Sequence, residues 1–165
     1  MNYQFEICAN SVSSCLAAQE AGAHRVELCA ALPEGGTTPS YGEIALAREV
    51  LHIKLHVLIR PRSGDFLYND AEMKSMLKDI EMCRHLGVDG VVIGCLDKAG
   101  KVDVEKMQML MEAAGDISVT FHRAFDVCSD PFEAMEQIIT LGCDRILTSG
   151  QQATAIAGAS LLKAL

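Results

Sequence analysis

The chain has no apolar run approaching the roughly 20 residues that a membrane-crossing helix needs, and its start, MNYQFEICAN, lacks the basic segment and apolar centre of a secretory signal. Positive charge is also in deficit. Lys and Arg number 14 against 22 Asp and Glu, a formal net charge of −8, which argues against a general nucleic-acid or membrane-binding surface and leaves room only for a local basic pocket. The seven cysteines, Cys8, Cys15, Cys29, Cys83, Cys95, Cys128 and Cys143, include no CxxC pair. Scattered through apolar patterns, they follow the usage of a reducing compartment, so a soluble cytoplasmic protein with mostly small, buried thiols is expected. No linker or low-complexity stretch interrupts the 165 residues, half of them hydrophobic, which predicts one domain over 1–165 around one core.

What the sequence does contain is a repeat of strand and helix. FEICA, RVELC, KLHVLIR, GVVIGC, SVTFHR and RILTSG read as six β-rich runs, separated by amphipathic stretches such as SSCLAAQEA, DAEMKSMLKDIEMCRHL and VDVEKMQMLMEAA. Helix exits share one pattern, with Gly22, Gly87 and Gly142 preceding a short turn into the next strand, and Gly115 in a looser copy. Helix starts are marked by Asn10-Ser11, Pro39-Ser40, Asn69-Asp70 and Asp130-Pro131.

Six such βα units fit an open doubly wound sheet or part of a closed barrel, and residue parity favours the barrel. In a doubly wound sheet the central strands are covered on both faces and read as continuous apolar runs. Here one face of several strands is polar. Phe5 and Ile7 oppose Glu6 and Cys8; Val26 and Leu28 oppose Glu27 and Cys29; Leu55, Val57 and Ile59 oppose His56, Leu58 and Arg60; Val119 and Phe121 oppose Thr120 and His122. If the apolar faces meet the helices, Glu6, Glu27, Arg60 and His122 point into one lumen. Buried charges are costly unless paired, so such a collection needs compensation or a function. TFHRAFD, at a strand's carboxyl end, lies where barrels of this kind carry their sites.

At VELCAALPEGGTTPSYG (26 to 42), IRPRSGDFLY (59 to 68), VTFHRAFD (119 to 126) and RILTSGQ (145 to 151) the sequence resembles the CutC copper-homeostasis family. The resemblance implies an α/β fold of the TIM-type (β/α)8 barrel and a part in copper homeostasis. A complete barrel of this type takes about 250 residues. About six units are present here, so the carboxyl-terminal units are expected to be missing, either because the chain is truncated or because a partner subunit covers the opening. The edges left unpaired predict self-association into a homo-oligomer.

Two functional readings follow, beside a third in which a truncated barrel has no activity. Cys8 and Cys29 trail Glu6 and Glu27 by two residues each on sequential strands, close enough for two lumen-facing thiols to hold Cu(I), which soft thiolates select. The alternative is acid/base chemistry, lyase-like or isomerase-like, on a small anionic metabolite. Here Arg60, Arg62, Asp65, Arg123 and Ser149 bind the anion, while His122, Glu6, Glu27 and Asp126 move or steer protons. No organic cofactor is expected, because the loop LPEGGTTPSYG lacks the GK[ST] ending of a phosphate loop. Met73, Met76, Met82, Met107, Met109 and Met111 are assigned to core packing, and His24, His52 and His85 to surface or capping positions. His56 points inward.

Overall fold

The computed structural model describes residues 3–165. Six parallel strands, β1 (Glu6–Ala9), β2 (Arg25–Leu28), β3 (Lys54–Leu58), β4 (Gly90–Ile93), β5 (Ser118–Phe121) and β6 (Arg145–Ile146), form one sheet in sequence order. The helices α1 (Val12–Glu20), α2 (Tyr41–Val50), α3 (Asp70–His85), α4 (Val104–Ala114) and α5 (Pro131–Leu141) connect them, and α6 (Ala159–Ala164) follows β6. Because the strand order never reverses, right-handed crossovers carry every connecting helix to the same side. That rules out the doubly wound alternative, which needs a reversal. A flat sheet of six strands would hold its edges about 24 Å apart, yet Cys8 of β1 and Leu147 beyond β6 line one cavity. The sheet is therefore curled into six units of a TIM-type barrel.

Local chemistry sets the element ends. Ser40 and Asn69 cap α2 and α3, each accepting from the backbone N–H three residues on while Glu43 and Glu72 reach back to the cap N–H. Ser11 and Asp130 cap α1 and α5. Gly22, Gly87 and Gly142 all take positive φ at the helix exits, as their shared pattern predicts. The last strand is shorter than RILTSG suggests. Leu147 still donates to Phe121, but Thr148 and Ser149 then leave the ladder for Asp126.

The outward faces of β2 to β5 make the core. Val26, Leu28, Leu55, Val57, Ile59, Val91, Ile93, Val119 and Phe121 are buried there with Ile44, Met76, Ile80, Met107, Leu110 and Ile138 from the helices. Each large apolar side chain so buried stabilises the fold by about 1.5–3 kcal/mol. Two expectations of burial fail at the margins. Helix α1 packs against both β1 and β2 but leaves Phe5 and Ile7 65% and 45% exposed, so the apolar face of β1 is not sealed. Met109 is exposed on α4, whereas Met73, Met76 and Met107 are buried and Met82 and Met111 pack against the core.

On the inward face β4 contributes two glycines, and both make room for an imidazole. A Cβ on Gly90 would lie 2.7 Å from Cε1 of His56 and 2.6 Å from the carbonyl of Ser118; one on Gly94 would lie 2.6 Å from Nδ1 and Cε1 of His122. Gly94→Ala should therefore destabilise the chain by about 1–3 kcal/mol through overpacking. Since His122 is the main obstacle, the penalty should shrink in a His122→Ala background, which denaturant titrations of a double-mutant cycle would measure. An undiminished penalty would mean that the clash is with something other than the ring.

Candidate functional site

A cavity of about 310 Å³ opens at the carboxyl ends of the strands, where Cys8, Glu27, Arg60, Phe66, His122 and Arg123 meet the apolar side chains of Leu32, Leu58 and Leu147. The alternation of β1, β2, β3 and β5 delivers its polar groups, each strand turning every second side chain inward. Two sulfurs sit at its edge. Cys8 faces Glu27 across the β1–β2 register, and its Sγ lies 3.6 Å from that of Cys29 and 3.8 Å from Glu27 Oε1. Cys8 is exposed and Cys29 buried. The pair does not titrate symmetrically: hydrogen bonding from Cys8 lowers the Cys29 thiol, while the same contact raises Cys8.

Glu27 has no cationic partner within ion-pairing distance among the described residues, because its neighbour Glu6 takes Arg25. Burial, then the nearby Cys8 and Glu6, push the Glu27 carboxyl up to about 8. His122 moves the other way. Burial and the charge of Arg60 pull it down to about 3, so at neutral pH it is an uncharged imidazole. Its Nδ1 accepts from the N–H of Ala124 at 3.2 Å, which assigns the ring proton to Nε2. At neutral pH the protonated carboxyl and the neutral ring thus offer hydrogen donors to the cavity, and proton transfer falls more naturally to Glu27 than to His122.

Arg60 is buried and spends its terminal nitrogens on backbone carbonyls. Nη1 donates to Gly36 at 2.7 Å and Glu34 at 3.3 Å, and Nη2 donates to Gly64 at 2.8 Å. This one guanidinium ties together the loops that follow β2 and β3. Phe66 lies against both site residues, with its ring centre 4.9 Å from the Arg60 guanidinium carbon and 4.9 Å from the His122 ring centre.

The remaining candidates take other places. Arg62 and Asp65 pair with each other at 2.9 Å, and Arg62 also binds Glu72 at 2.5 Å and lies over the ring of Tyr68, which fastens the β3–α3 loop outside the cavity lining. Asp126 accepts from Thr148 Oγ1, the N–H and Oγ of Ser149, Gln151 N–H and Arg123 Nε, locking the β6 loop to the turn after β5. Burial opposes its charge, but these donors prevail and hold the carboxyl below its ordinary range. Glu6 lies two residues deeper than Cys8, against Arg25. Not anticipated were Arg25 and Arg145 on the lumen face and Phe66 over the site. Arg25 shares the parity of Glu27, a signal already in the sequence; Arg145 is placed by its pairing with Thr120, and Phe66 sits in a loop where alternation carries no information. His56, buried beside Gly90, is pulled down to about 4 by burial and by Arg25 and Arg145.

The model described as the CutC family matches residues 3–165. A family protein CutC of Bacteroides fragilis is 71% identical over 165 residues, which cover 99% of this chain and 66% of that protein. One from Bacteroides thetaiotaomicron is 68% identical over 164 residues, with the same coverages of 99% and 66%. A solved structure from Streptococcus agalactiae, provisionally described as a copper homeostasis protein CutC, superposes with a TM-score of 0.93 at 38% identity, covering 99% of this chain and 81% of that one. The chain thus spans about two thirds, 66%, of the length of these curated relatives.

The opposed shifts give a pH signature. For Glu27 the fold favours the protonated form, so its contribution to stability is complete below an ordinary 4.5 and is lost as pH rises through about 8. His122 and His56 are favoured neutral, so their contribution is complete above 6.5 and is lost as pH falls towards about 3 and about 4. Glu27→Gln should therefore flatten the decline in unfolding free energy between about pH 5 and 8, leaving the acid limb intact. Urea titrations across that range check it, and an unchanged alkaline slope would mean that Glu27 is ionised in the fold.

Proposed function

The chain belongs to the CutC family, and from that premise we propose that it serves copper homeostasis by binding Cu(I) on Cys8 and Cys29. The observation that carries the reading is the separation of 3.6 Å between the two sulfurs, on neighbouring strands at the edge of an open cavity. Thiolates are soft ligands that select Cu(I) over the harder divalent ions. Cys29, whose thiol is lowered by the hydrogen bond from Cys8, supplies the first thiolate; Cys8, exposed, meets the incoming ion and gives up its proton on binding. No cluster of three or more His, Cys, Asp or Glu suited to a metal occurs among the described residues, which favours a low-coordinate cargo site over a structural cage. All seven cysteines are free thiols, in keeping with work in the reducing cytosol. The description of the Streptococcus agalactiae structure as a copper homeostasis protein points the same way.

An anaerobic Cu(I) titration against bicinchoninate tests this. One ion per chain is expected, with affinity falling more than about 100-fold in the Cys8→Ser/Cys29→Ser variant. Affinity unchanged by the double substitution would remove copper from this pair of sulfurs. Raising pH should tighten binding, because both protons must leave.

A further inference from the structure

Two residues lining the cavity beside the sulfurs carry buried nitrogens without a hydrogen-bond partner, His122 Nε2 and Arg60 Nε, the latter with the equally unpartnered Tyr68 hydroxyl beside its guanidinium. His122 is 4% exposed and Arg60 5%. The ring proton of His122 is assigned to Nε2, since Nδ1 already accepts from Ala124. An unmade hydrogen bond on a buried donor is costly, and two in residues lining one cavity mark a place where something else supplies acceptors. Arg60 adds a second demand. Its terminal nitrogens reach only carbonyl oxygens, and among the described residues no carboxylate pairs with it, so a buried positive charge lacks a counter-ion.

We propose that this cavity binds a small organic carboxylate, its oxygens accepting from His122 Nε2–H and Arg60 Nε–H and its apolar body lying against Phe66, Leu58 and Leu147. Three observations select that class. Its negative charge answers Arg60, and a carboxylate has two oxygens for the two donors. A phosphate dianion fits worse, because Glu27 and Cys8 stand in the same cavity and supply no charge to match it. The volume of about 310 Å³ lies at the small end for ligand sites, and its largely apolar wall suits a short carbon chain rather than a bare ion. Phe66 lies against both residues and gives the ligand's carbon chain an apolar surface next to the donors. Its donors are distinct from the sulfurs proposed for copper, although Cys8 lines the same cavity.

Butyrate and inorganic phosphate are the probes, titrated calorimetrically into the 165-residue chain at fixed ionic strength. Butyrate should bind, while phosphate and the uncharged isostere butyramide should bind at least about tenfold more weakly. His122→Ala should weaken butyrate by about tenfold or more, with thermal melts reporting whether the variant folds. Because that substitution also opens space beside Gly94, a second measurement uses the unaltered chain: the Nε2–H proton resonance of His122 should shift and exchange more slowly with solvent when butyrate is added. No butyrate binding up to about 10 mM, equal affinity for butyramide, or a His122 resonance that ignores saturating butyrate would each overturn the proposal. Preference for phosphate would overturn the class of ligand.

Discussion

Besides the two thiols, seven ionisable side chains share the concave face of the sheet, and the compensation available to each governs the rest of the molecule. Glu6, Arg25, Glu27, His56, Arg60, His122 and Arg145 all point inward, where an isolated charge costs several kcal/mol. Only one carboxylate–guanidinium pair forms, between Glu6 and Arg25. Arg145 turns to the hydroxyls of Ser118 and Thr120. Arg60 turns to loop carbonyls, and the two histidines stay neutral. Glu27 is left facing a thiol and keeps its proton near neutrality. The unusual electrostatics of the cavity therefore follow from a shortage of partners in a fixed geometry rather than from any single strong interaction.

Geometry supports this arrangement through what β4 omits. Glycine costs strand stability because it brings no side chain to pack, yet both inward positions that bracket Val92 are glycine. The gaps are filled by His56 and His122 from the flanking strands, so that each imidazole lies over backbone instead of competing with a side chain. Outside, Val91 and Ile93 join the main apolar core. β4 thus anchors the core on one face, while Gly90 and, one residue past its end, Gly94 make room for the two histidines on the other.

Much of this was legible in the sequence because strands and helix caps write strict periods. All six β-rich runs contain the strands of the sheet, the expected caps of α1, α2, α3 and α5 are occupied, and alternation put Glu27, Arg60 and His122 on one face before any coordinates. Legibility ends where the strands do. Arg60 and Arg62 share parity and flank Pro61, but alternation lapses beyond Arg60, and the second arginine swings out to Asp65 and Glu72. Asp126 and Ser149 read as site residues from their places beyond strand ends; they bond one another across the loops, and Asp126 also accepts from Arg123. Phe66 was invisible for the converse reason, since a loop aromatic carries no period to say which way it turns. The exposure of Phe5 and Ile7 was hidden because alternation reports a face and not whether anything covers it.

The cavity's dependence on Arg60 links these levels. Its guanidinium gathers the carbonyls of Glu34, Gly36 and Gly64, and so fixes two loops that have no ladder of their own at that point. Gly36 can approach only because it lacks a Cβ, which would stand 2.7 Å from Leu58. With the second loop held, Phe66 is brought over both Arg60 and His122, and the cavity acquires its roof. After burial, the same charge helps to keep His122 neutral at ordinary pH, with its ring proton on Nε2. A buried cation bound to carbonyls is an expensive way to pin loops, since apolar side chains could do it with no desolvation cost. What apolar side chains could not do is leave a positive charge and a neutral donor in residues that line the same cavity.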